Sequence, residues 1–168
     1  MTRILVISDT HGRDLSVLPP ALLGEVESAD IVVHCGDYHH LTLLSQLRRE
    51  AKRFVGVFGN MDSIDIRAEL PAKAVFEVEG KRIGVIHPHW GGPPHNIERD
   101  IVKEFDGVDV ICFGHTHDAG CREIKGVTFL NPGQSYRSYI HRSYMEPASA
   151  GIVNVGPDGI EVEIKTFK

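Results

Sequence analysis

Five short apolar runs, each followed by polar residues, constrain the fold of this sequence most strongly. The runs are four to six residues long, rich in β-branched side chains and accompanied by glycine. Such runs predict strands that are buried on both faces. In an open α/β sheet, binding sites form at the carboxyl ends of strands of this kind. The polar residues that follow the five runs are Asp9 and His11, then Asp37, Asn60 and His87, and finally His115 and His117.

Two of these groups are pairs of donors separated by one residue, Asp9 with His11 and His115 with His117. In extended backbone, both side chains of such a pair point to the same side. A single polar residue after a strand is more often a turn or capping residue than a metal ligand. Seven oxygen and nitrogen donors at equivalent positions are hard to explain in that way. The pattern therefore predicts a centre that binds two divalent metal ions.

The composition is that of an ordinary globular protein. The chain has 168 residues, of which 42% are hydrophobic and 24% charged, and it is predicted to form one domain over residues 1–168. The net charge of −5 argues against an extended surface for nucleic acid, which needs a basic patch. Two of the three cysteines, Cys35 and Cys112, lie in apolar runs, so burial as small hydrophobic residues is favoured over disulfides.

The sequence gives no indication of membrane insertion or export. No apolar run approaches the roughly 20 residues that span a bilayer. Met1 is followed almost directly by the first apolar run, so no signal peptide is predicted there. We therefore expect a cytoplasmic protein without membrane contact.

Helical and hairpin patterns fill the rest of the chain. Apolar spacing near 3.6 residues alternates with the predicted strands, which favours an α/β fold. Glycine-containing turns between alternating segments predict hairpins. The predicted helices cover 17–28, 41–51 and 94–105, and the predicted turns lie at 79–80, 125–126 and 156–159.

Two segments fit neither pattern. Residues 88–96 are rich in proline, glycine and histidine, and we expect no regular element there. Residues 134–147 hold three tyrosines and two arginines in a polar stretch. We favour a solvated loop or an interface patch for this second segment over a substrate-binding role. A contact between copies of the chain through residues 136–144 stays open.

The ordered motifs resemble those of the calcineurin-like metallophosphoesterases. Closest is the small, single-domain phosphodiesterase branch from bacteria and archaea. The resemblance covers nearly the whole chain and implies a four-layer αββα sandwich with two facing mixed β-sheets. The motifs that carry it are Asp9-Thr-His11-Gly12, Gly36-Asp37, Gly59-Asn60, His87 and Gly114-His115-Thr-His117.

The resemblance also assigns the donors to two metal ions. Asp37 would bridge the ions, because a carboxylate has two oxygens whereas a neutral imidazole offers one nitrogen. A donor set without thiolate suits Mn²⁺, which we favour, and also Ni²⁺, Fe²⁺ or Zn²⁺. The first ion would be held by Asp9, His11, Asp37 and His117, and the second by Asp37, Asn60, His87 and His115.

The activity implied by this resemblance is hydrolysis of small phosphate esters, most readily phosphodiesters. A hydroxide that bridges the two metals would attack phosphorus. The wider family often has a histidine after Gly-Asn that acts on the leaving group, whereas this chain has Met61. A thioether cannot transfer a proton, so His89 or water would have to supply it. His89 and Asn60 are accordingly the candidate catalytic residues.

Two other functions compete with this prediction. The first is a non-catalytic scaffold of the same fold that binds protein partners, for which the retromer subunit of this fold is the precedent. Such scaffolds tend to lose histidines of the metal site, whereas this chain has every expected ligand, which favours the enzyme. The second is a nuclease of the same superfamily, but the negative net charge and the short length of the chain argue against a DNA-binding surface. The sequence leaves the substrate and the oligomeric state open.

Overall fold

The structure is a computed structural model that describes residues 1–88, 97–136, 138–141 and 144–168. Its strands form two five-stranded mixed sheets and one short hairpin. In chain order the strands are β1 (Thr2–Ile7), β2 (Ile31–His34), β3 (Phe54–Gly56), β4 (Lys73–Val78), β5 (Lys81–Ile86), β6 (Val110–Phe113), β7 (Gly120–Ile124), β8 (Val127–Asn131), β9 (Ser138–His141), β10 (Tyr144–Glu146), β11 (Ala148–Gly156) and β12 (Gly159–Phe167).

Each large sheet has three adjacent parallel strands, with antiparallel pairing at one edge of the first sheet and at both edges of the second. The first sheet has the order β12-β11-β1-β2-β3, and the second has the order β4-β5-β6-β8-β7. Strands β1, β2 and β3 run parallel to one another, as do β5, β6 and β8. Five of these strands, β1, β2, β3, β5 and β6, are the apolar runs of the sequence, and the candidate ligands follow their carboxyl ends.

The helices lie on the outer faces of the two sheets. They are α1 (Pro20–Ser28), α2 (Leu41–Glu50), α3 (Ile64–Glu69) and α4 (Ile97–Ile101), with 3-10 helices at Leu15–Val17 and Val102–Glu104. One apolar cluster, which includes Leu22 and Leu44, packs α1, α2 and α3 against the first sheet. Another, which includes Ile101 and Phe129, packs α4 against the second sheet.

The central core lies between the sheets. Val6 and Val33 of the first sheet pack in one cluster with Val85 and Cys112 of the second, and all four are almost completely buried. The order of layers is therefore helix, sheet, sheet, helix. The predicted αββα sandwich is confirmed.

Most predicted elements are present, with shifts at their ends. The first helix begins at Pro20 rather than residue 17, because the rigid Pro19-Pro20 pair places proline in the first helical turn. The second ends within one residue of its predicted bound. The third covers 97–101 and continues as a 3-10 helix to 104, while its predicted start at 94–96 lies outside the described residues. Helix α3 was not predicted. It begins at Ile64 and is capped by Ser63, whose Oγ accepts the Ile66 N–H.

The predicted hairpins are confirmed, and one predicted loop is wrong. Both turn residues at 79–80 and at 125–126 have the positive φ angles that tight hairpin turns require. Segment 134–147, predicted to be irregular, contains the antiparallel pair of β9 and β10. Its tyrosine and isoleucine content favours strands, and the prediction gave too much weight to its polarity. Of residues 88–96, only 88 lies in the described part.

Two details complete the comparison. Cys35 and Cys112 are buried and unpaired, as predicted, and Cys121 is exposed. In the described ranges, none of the helices is long and apolar enough to cross a membrane.

Candidate metal centre

Five of the seven predicted ligands lie in tight left-handed turns after the parallel strands. The φ angles are 51° at Asp9, 43° at His11, 61° at Asp37, 82° at His115 and 60° at His117. Positive φ is uncommon for residues other than glycine and is concentrated at functional sites. The expectation that the two spaced pairs lie in extended backbone is therefore wrong. Their side chains converge because the chain turns sharply at each of them.

Two glycines allow these turns to approach one another. A Cβ at Gly59 would lie 2.6 Å from the Asp37 backbone nitrogen and 2.8 Å from Asp37 Cγ, and closer still to Oδ1. A Cβ at Gly114 would lie 2.6 Å from Asp9 Oδ2 and closer still to Ser8 Oγ. Both carboxylates thus occupy space that any side chain at the two glycine positions would need.

One group of donors surrounds Asp9, which is completely buried. Asp9 Oδ1 lies 3.2 Å from His117 Nε2 and 3.8 Å from His11 Nε2, and the two imidazole nitrogens are 3.3 Å apart. Asp9 Oδ2 accepts hydrogen bonds from Ser8 Oγ (2.6 Å) and the His115 backbone N–H (3.0 Å). Oδ1 accepts no hydrogen bond of good geometry from the described residues. A buried carboxylate oxygen without a donor is the arrangement that a bound cation would complete.

Asp37 connects this group with a second one. Asp37 Oδ2 lies 3.9 Å from His11 Nε2 and 3.4 Å from His87 Nε2, while Oδ1 accepts the Met61 backbone N–H at 2.8 Å. Oδ2 thus faces donors of both groups. Burial alone would raise the pKa of Asp37, but the hydrogen bond to His87 and the charge of that imidazole outweigh it and lower the pKa to about 2.

Asn60 joins two histidines in the second group. Asn60 Oδ1 lies 3.0 Å from His87 Nε2 and 3.0 Å from His115 Nδ1. An amide oxygen between two imidazole nitrogens matches the predicted ligand set for the second ion. The donor set joins neutral nitrogens to carboxylate and amide oxygens, which fits borderline divalent cations.

Hydrogen bonds orient two of the histidines. His87 Nδ1–H donates to the Cys35 carbonyl at 2.7 Å, which directs Nε2 toward Asp37 and Asn60. His11 Nδ1 lies 2.8 Å from His39 Nε2, which leaves Nε2 to face Asp9. Hydrogen bonding through the second nitrogen is typical of metal-binding histidines.

The pKa shifts follow from burial and from the two carboxylates. Burial opposes ionisation of Asp9, yet His117 and the other nearby imidazoles lower the pKa of Asp9. The Asp9 carboxylate, 3.2 Å from Nε2 of His117, raises the pKa of His117. Burial lowers the pKa of His11. Burial also acts to lower the pKa of His87, but Asp37 and Asp9 outweigh it and raise that pKa. In the absence of a cation, the negative charges of the two carboxylates and the positive charges of the nearby imidazoles partly compensate one another.

Asp62 is a supporting residue that the sequence analysis did not single out. It is 6% exposed, and its two carboxylate oxygens accept four backbone N–H groups. The donors are Asp37, Tyr38 and His39 on one loop and Gly59 on another. This single carboxylate therefore fixes the Asp37 loop relative to the Asn60 loop. Its position two residues after Asn60 was the only available signal.

His34 also supports the centre, and the sequence analysis did not single it out either. Its Nδ1 accepts the Gly36 N–H at 3.1 Å, so Nε2 carries the proton and donates to Thr10 Oγ1 at 3.0 Å. Thr10 Oγ1 in turn donates to the Asp37 carbonyl at 3.4 Å. Complete burial lowers the pKa of His34 to about 3, which keeps the ring neutral. The chain of bonds links the turns that carry Asp9, His11 and Asp37.

The structure thus brings all seven predicted ligands together. The donor atoms form two sets, and within each set all atoms lie within 4.8 Å of one another. One set comes from Asp9, His11 and His117, and the other from Asp9, Asp37 and His87. His89, predicted to be catalytic, lies outside the described residues. Met61 is 56% exposed beside Asn60.

Comparison with known proteins gives a consistent result. Residues 2–154 match the family model of the calcineurin-like phosphoesterase superfamily domain. A probable metallophosphoesterase from Methanocaldococcus jannaschii, MJ0623, is 37% identical over 130 residues, which are 76% of this chain and 65% of the relative. The chain thus spans slightly less than two thirds of that relative's length. The single-domain interpretation of residues 1–168 stays a prediction.

Two solved structures have the same fold. The solution NMR structure of Thermotoga maritima protein TM1076 matches with a TM-score of 0.75 at 33% identity, and the match covers 99% of this chain and 100% of that one. Vps29 from Entamoeba histolytica, crystallised in complex with Zn²⁺, matches with a TM-score of 0.73 at 22% identity and covers 99% of both chains. At that lower identity, the likeness to Vps29 shows the fold alone.

Proposed function

The chain belongs to the calcineurin-like phosphoesterase superfamily, and from this premise we propose that it is a two-metal phosphodiesterase. The substrate class is small phosphodiesters, and water is the nucleophile. The proposal goes beyond family membership in the number of metals, the assignment of ligands and the preference for diesters.

The observation that carries the proposal is the unsatisfied, completely buried Oδ1 of Asp9. His117 and His11 converge on this atom, so these three residues would hold the first cation together with Asp37. Asn60, His87 and His115 would hold the second, with Asp37 shared. When bound, such a pair of cations lowers the pKa of water and neutralises charge on the phosphoryl oxygens.

Ser8 and Cys35, which lie beside the centre, are poorly placed to act as nucleophiles. The Ser8 hydroxyl is completely buried and donates to Asp9 Oδ2. Cys35 is also buried, and burial raises the pKa of its thiol well above the usual range. Hydrolysis would therefore form a bond from water oxygen to phosphorus and break the bond to the ester oxygen, without a covalent enzyme intermediate.

The described residues also bear on the choice of substrate. Within the described ranges, no Arg or Lys side chain forms an ion pair with Asp9 or Asp37. The cations would thus be the main positive charge beside these two carboxylates, which favours a monoanionic diester over a dianionic monoester. Met61 cannot protonate a leaving group, which favours esters with acidic leaving groups.

A matrix of metals and substrates tests the proposal. Metal-stripped protein is reloaded with Mn²⁺, Ni²⁺, Fe²⁺ or Zn²⁺, and bound metal is counted by mass spectrometry. Turnover of bis(p-nitrophenyl) phosphate is compared with that of p-nitrophenyl phosphate. We expect two ions per chain and faster hydrolysis of the diester, with Mn²⁺ the most active.

Asp37→Asn provides the test of the shared ligand, and Asp158→Asn, at an exposed turn, is its matched control. We expect Asp37→Asn to lose metal and activity together, and Asp158→Asn to retain both. Two bound ions without hydrolysis of either ester would refute the enzyme and leave the partner-binding scaffold. One ion per chain in the active protein would refute the two-metal assignment.

A further inference from the structure

A cavity of about 540 Å³ opens beside the candidate metal centre on the side of the second sheet. His115 is part of its wall, and Nδ1 of this residue lies 3.0 Å from Asn60 Oδ1. The floor is apolar and consists of Phe113, Phe129 and Ile97, of which the two phenylalanines are buried. The volume is within the range of pockets that hold small organic molecules.

Three acidic side chains also line this cavity. Glu98, Asp100 and Asp118 line it, and Arg122 is the one cationic side chain among the described lining residues. Glu98 is only 4% exposed and pairs with Arg122 at 2.5 Å, so the guanidinium is already engaged. Lys103, outside the lining, pairs with Asp100 at 2.9 Å.

Asp118 therefore leaves an uncompensated charge. It is exposed at the rim, and no cation of the described part of the chain forms an ion pair with it. A ligand group that lies between Asp118 and the two phenylalanines would contact an apolar surface and face this uncompensated carboxylate. Such surroundings attract cations and repel phosphate or carboxylate groups.

We propose that this cavity binds one ester group of the phosphodiester and selects uncharged or cationic alcohols over alcohols that carry a further anionic group. The inference rests on the proposed function, because it places the phosphoryl group at the metal centre next to His115. The apolar part of the ester group would lie over Phe113 and Phe129, and a cationic end would face Asp118. Nucleoside polyphosphates and nucleic-acid strands are then poor ligands.

Three substrates with one common leaving group test this inference. They are p-nitrophenyl phosphodiesters whose second ester group is choline, phenyl or 4-carboxyphenyl. The three are compared through kcat/KM, and binding to the metal-loaded protein is measured by calorimetry. We expect the choline and phenyl esters to exceed the carboxyphenyl ester by roughly fivefold, which is the upper range for an exposed charge pair.

Asp118→Lys is the decisive variant, with Asp118→Asn as its milder form. Asp158→Lys is the control, because it makes the same charge change in the β11–β12 turn. That turn includes Gly156 near Met1, at the opposite end of the first sheet from the candidate metal centre. We expect Asp118→Lys to reverse the preference for the cationic ester, mainly through KM, and Asp158→Lys to leave it unchanged. Metal content of each variant is measured, so that a changed metal centre is recognised.

The outcomes separate this inference from the proposed function. Equal kcat/KM for the three esters, or an unchanged order in Asp118→Lys, would overturn the selectivity while leaving the phosphodiesterase intact. If no ester is hydrolysed, the proposed function fails, and the dissociation constants decide on the cavity. The selectivity of the cavity is supported if the three esters bind in the expected order and if Asp118→Lys reverses that order. Equal binding of the three esters would overturn it.

Discussion

Replacing Gly59 by alanine should disable the metal centre through the position of Asp37. The new Cβ would lie 2.8 Å from Asp37 Cγ and 2.6 Å from the Asp37 nitrogen, whereas ordinary contacts begin at 3.4 Å. The carboxylate must therefore move by at least about 0.6 Å, and its Oδ1, which is nearer, by more. This displacement would also strain the hydrogen bond that Asp37 Oδ1 accepts from the Met61 N–H.

The expected loss can be estimated from this displacement. A misplacement of about 1 Å in a catalytic group costs on the order of 10²-fold in rate, which corresponds to about 2.7 kcal/mol of transition-state stabilisation. Overpacking of this kind lowers the free energy of unfolding by about 1–3 kcal/mol. We therefore expect Gly59→Ala to lose roughly 10²-fold in kcat/KM and to bind metal more weakly, while it remains folded.

Gly24→Ala is the matched control. Gly24 lies in α1, and a Cβ there meets nothing within 4 Å. Alanine should raise the free energy of unfolding by about 0.4–1 kcal/mol without affecting activity. The assay combines hydrolysis of bis(p-nitrophenyl) phosphate, calorimetric Mn²⁺ binding and urea unfolding of the metal-free proteins. If Gly59→Ala keeps wild-type activity and metal affinity, the close approach of Gly59 to Asp37 does not constrain the centre.

Three further predictions follow from the same geometry. Asp37→Ala and His117→Ala should abolish turnover while circular dichroism of the metal-free proteins stays native, because in the proposed centre these side chains would arrange cations rather than pack the core. Loss of the native spectrum would mean that they are structural. Asp62→Asn should lower the free energy of unfolding by about 2–4 kcal/mol in urea titrations, because the amide NH₂ would face backbone N–H groups that now donate to the carboxylate. An unchanged unfolding midpoint would mean that Asp62 does not stabilise these loops. Met61→His should flatten the dependence of rate on leaving-group acidity in a series of aryl phosphodiesters and speed poor leaving groups by up to about 10²-fold. An identical slope would mean that residue 61 does not face the leaving group, or that another group already supplies the proton.

The sequence predicted most strands and turns of this fold well because those signals are local, whereas the four layers were implied by the family resemblance. The apolar runs and the turns at 79–80 and 125–126 depend only on neighbouring residues. The failures arose where local signals were weak or contradictory. Helix α3 has only six residues and little periodicity, and the polar segment around β9 and β10 concealed its strand preference.

The candidate centre shows the same division. Its donors could be identified because each follows a recognisable strand, but their backbone geometry could not. The turn at Asp9 is bonded to loops that are distant in the sequence, since the Asp9 N–H donates to the Gly36 carbonyl and Asp9 Oδ2 accepts the His115 N–H. The role of Asp62 depends on four N–H groups, donated by residues 37–39 and by Gly59. The role of His34 depends on Thr10, 24 residues away. Contacts of that kind leave no periodic trace in a sequence.

The division of the ligands between the two sheets has a consequence for the order of folding. Asp9 and Asp37 follow strands of the first sheet, whereas His87 and His117 follow strands of the second. The His115 N–H that reaches Asp9 comes from 106 residues away, and contacts of such separation form late because loop closure costs entropy. Cations with affinity for the complete centre would stabilise only chains in which both sheets have docked. Metal uptake would then mark the end of folding, and a newly made chain would be loaded only once its architecture is complete.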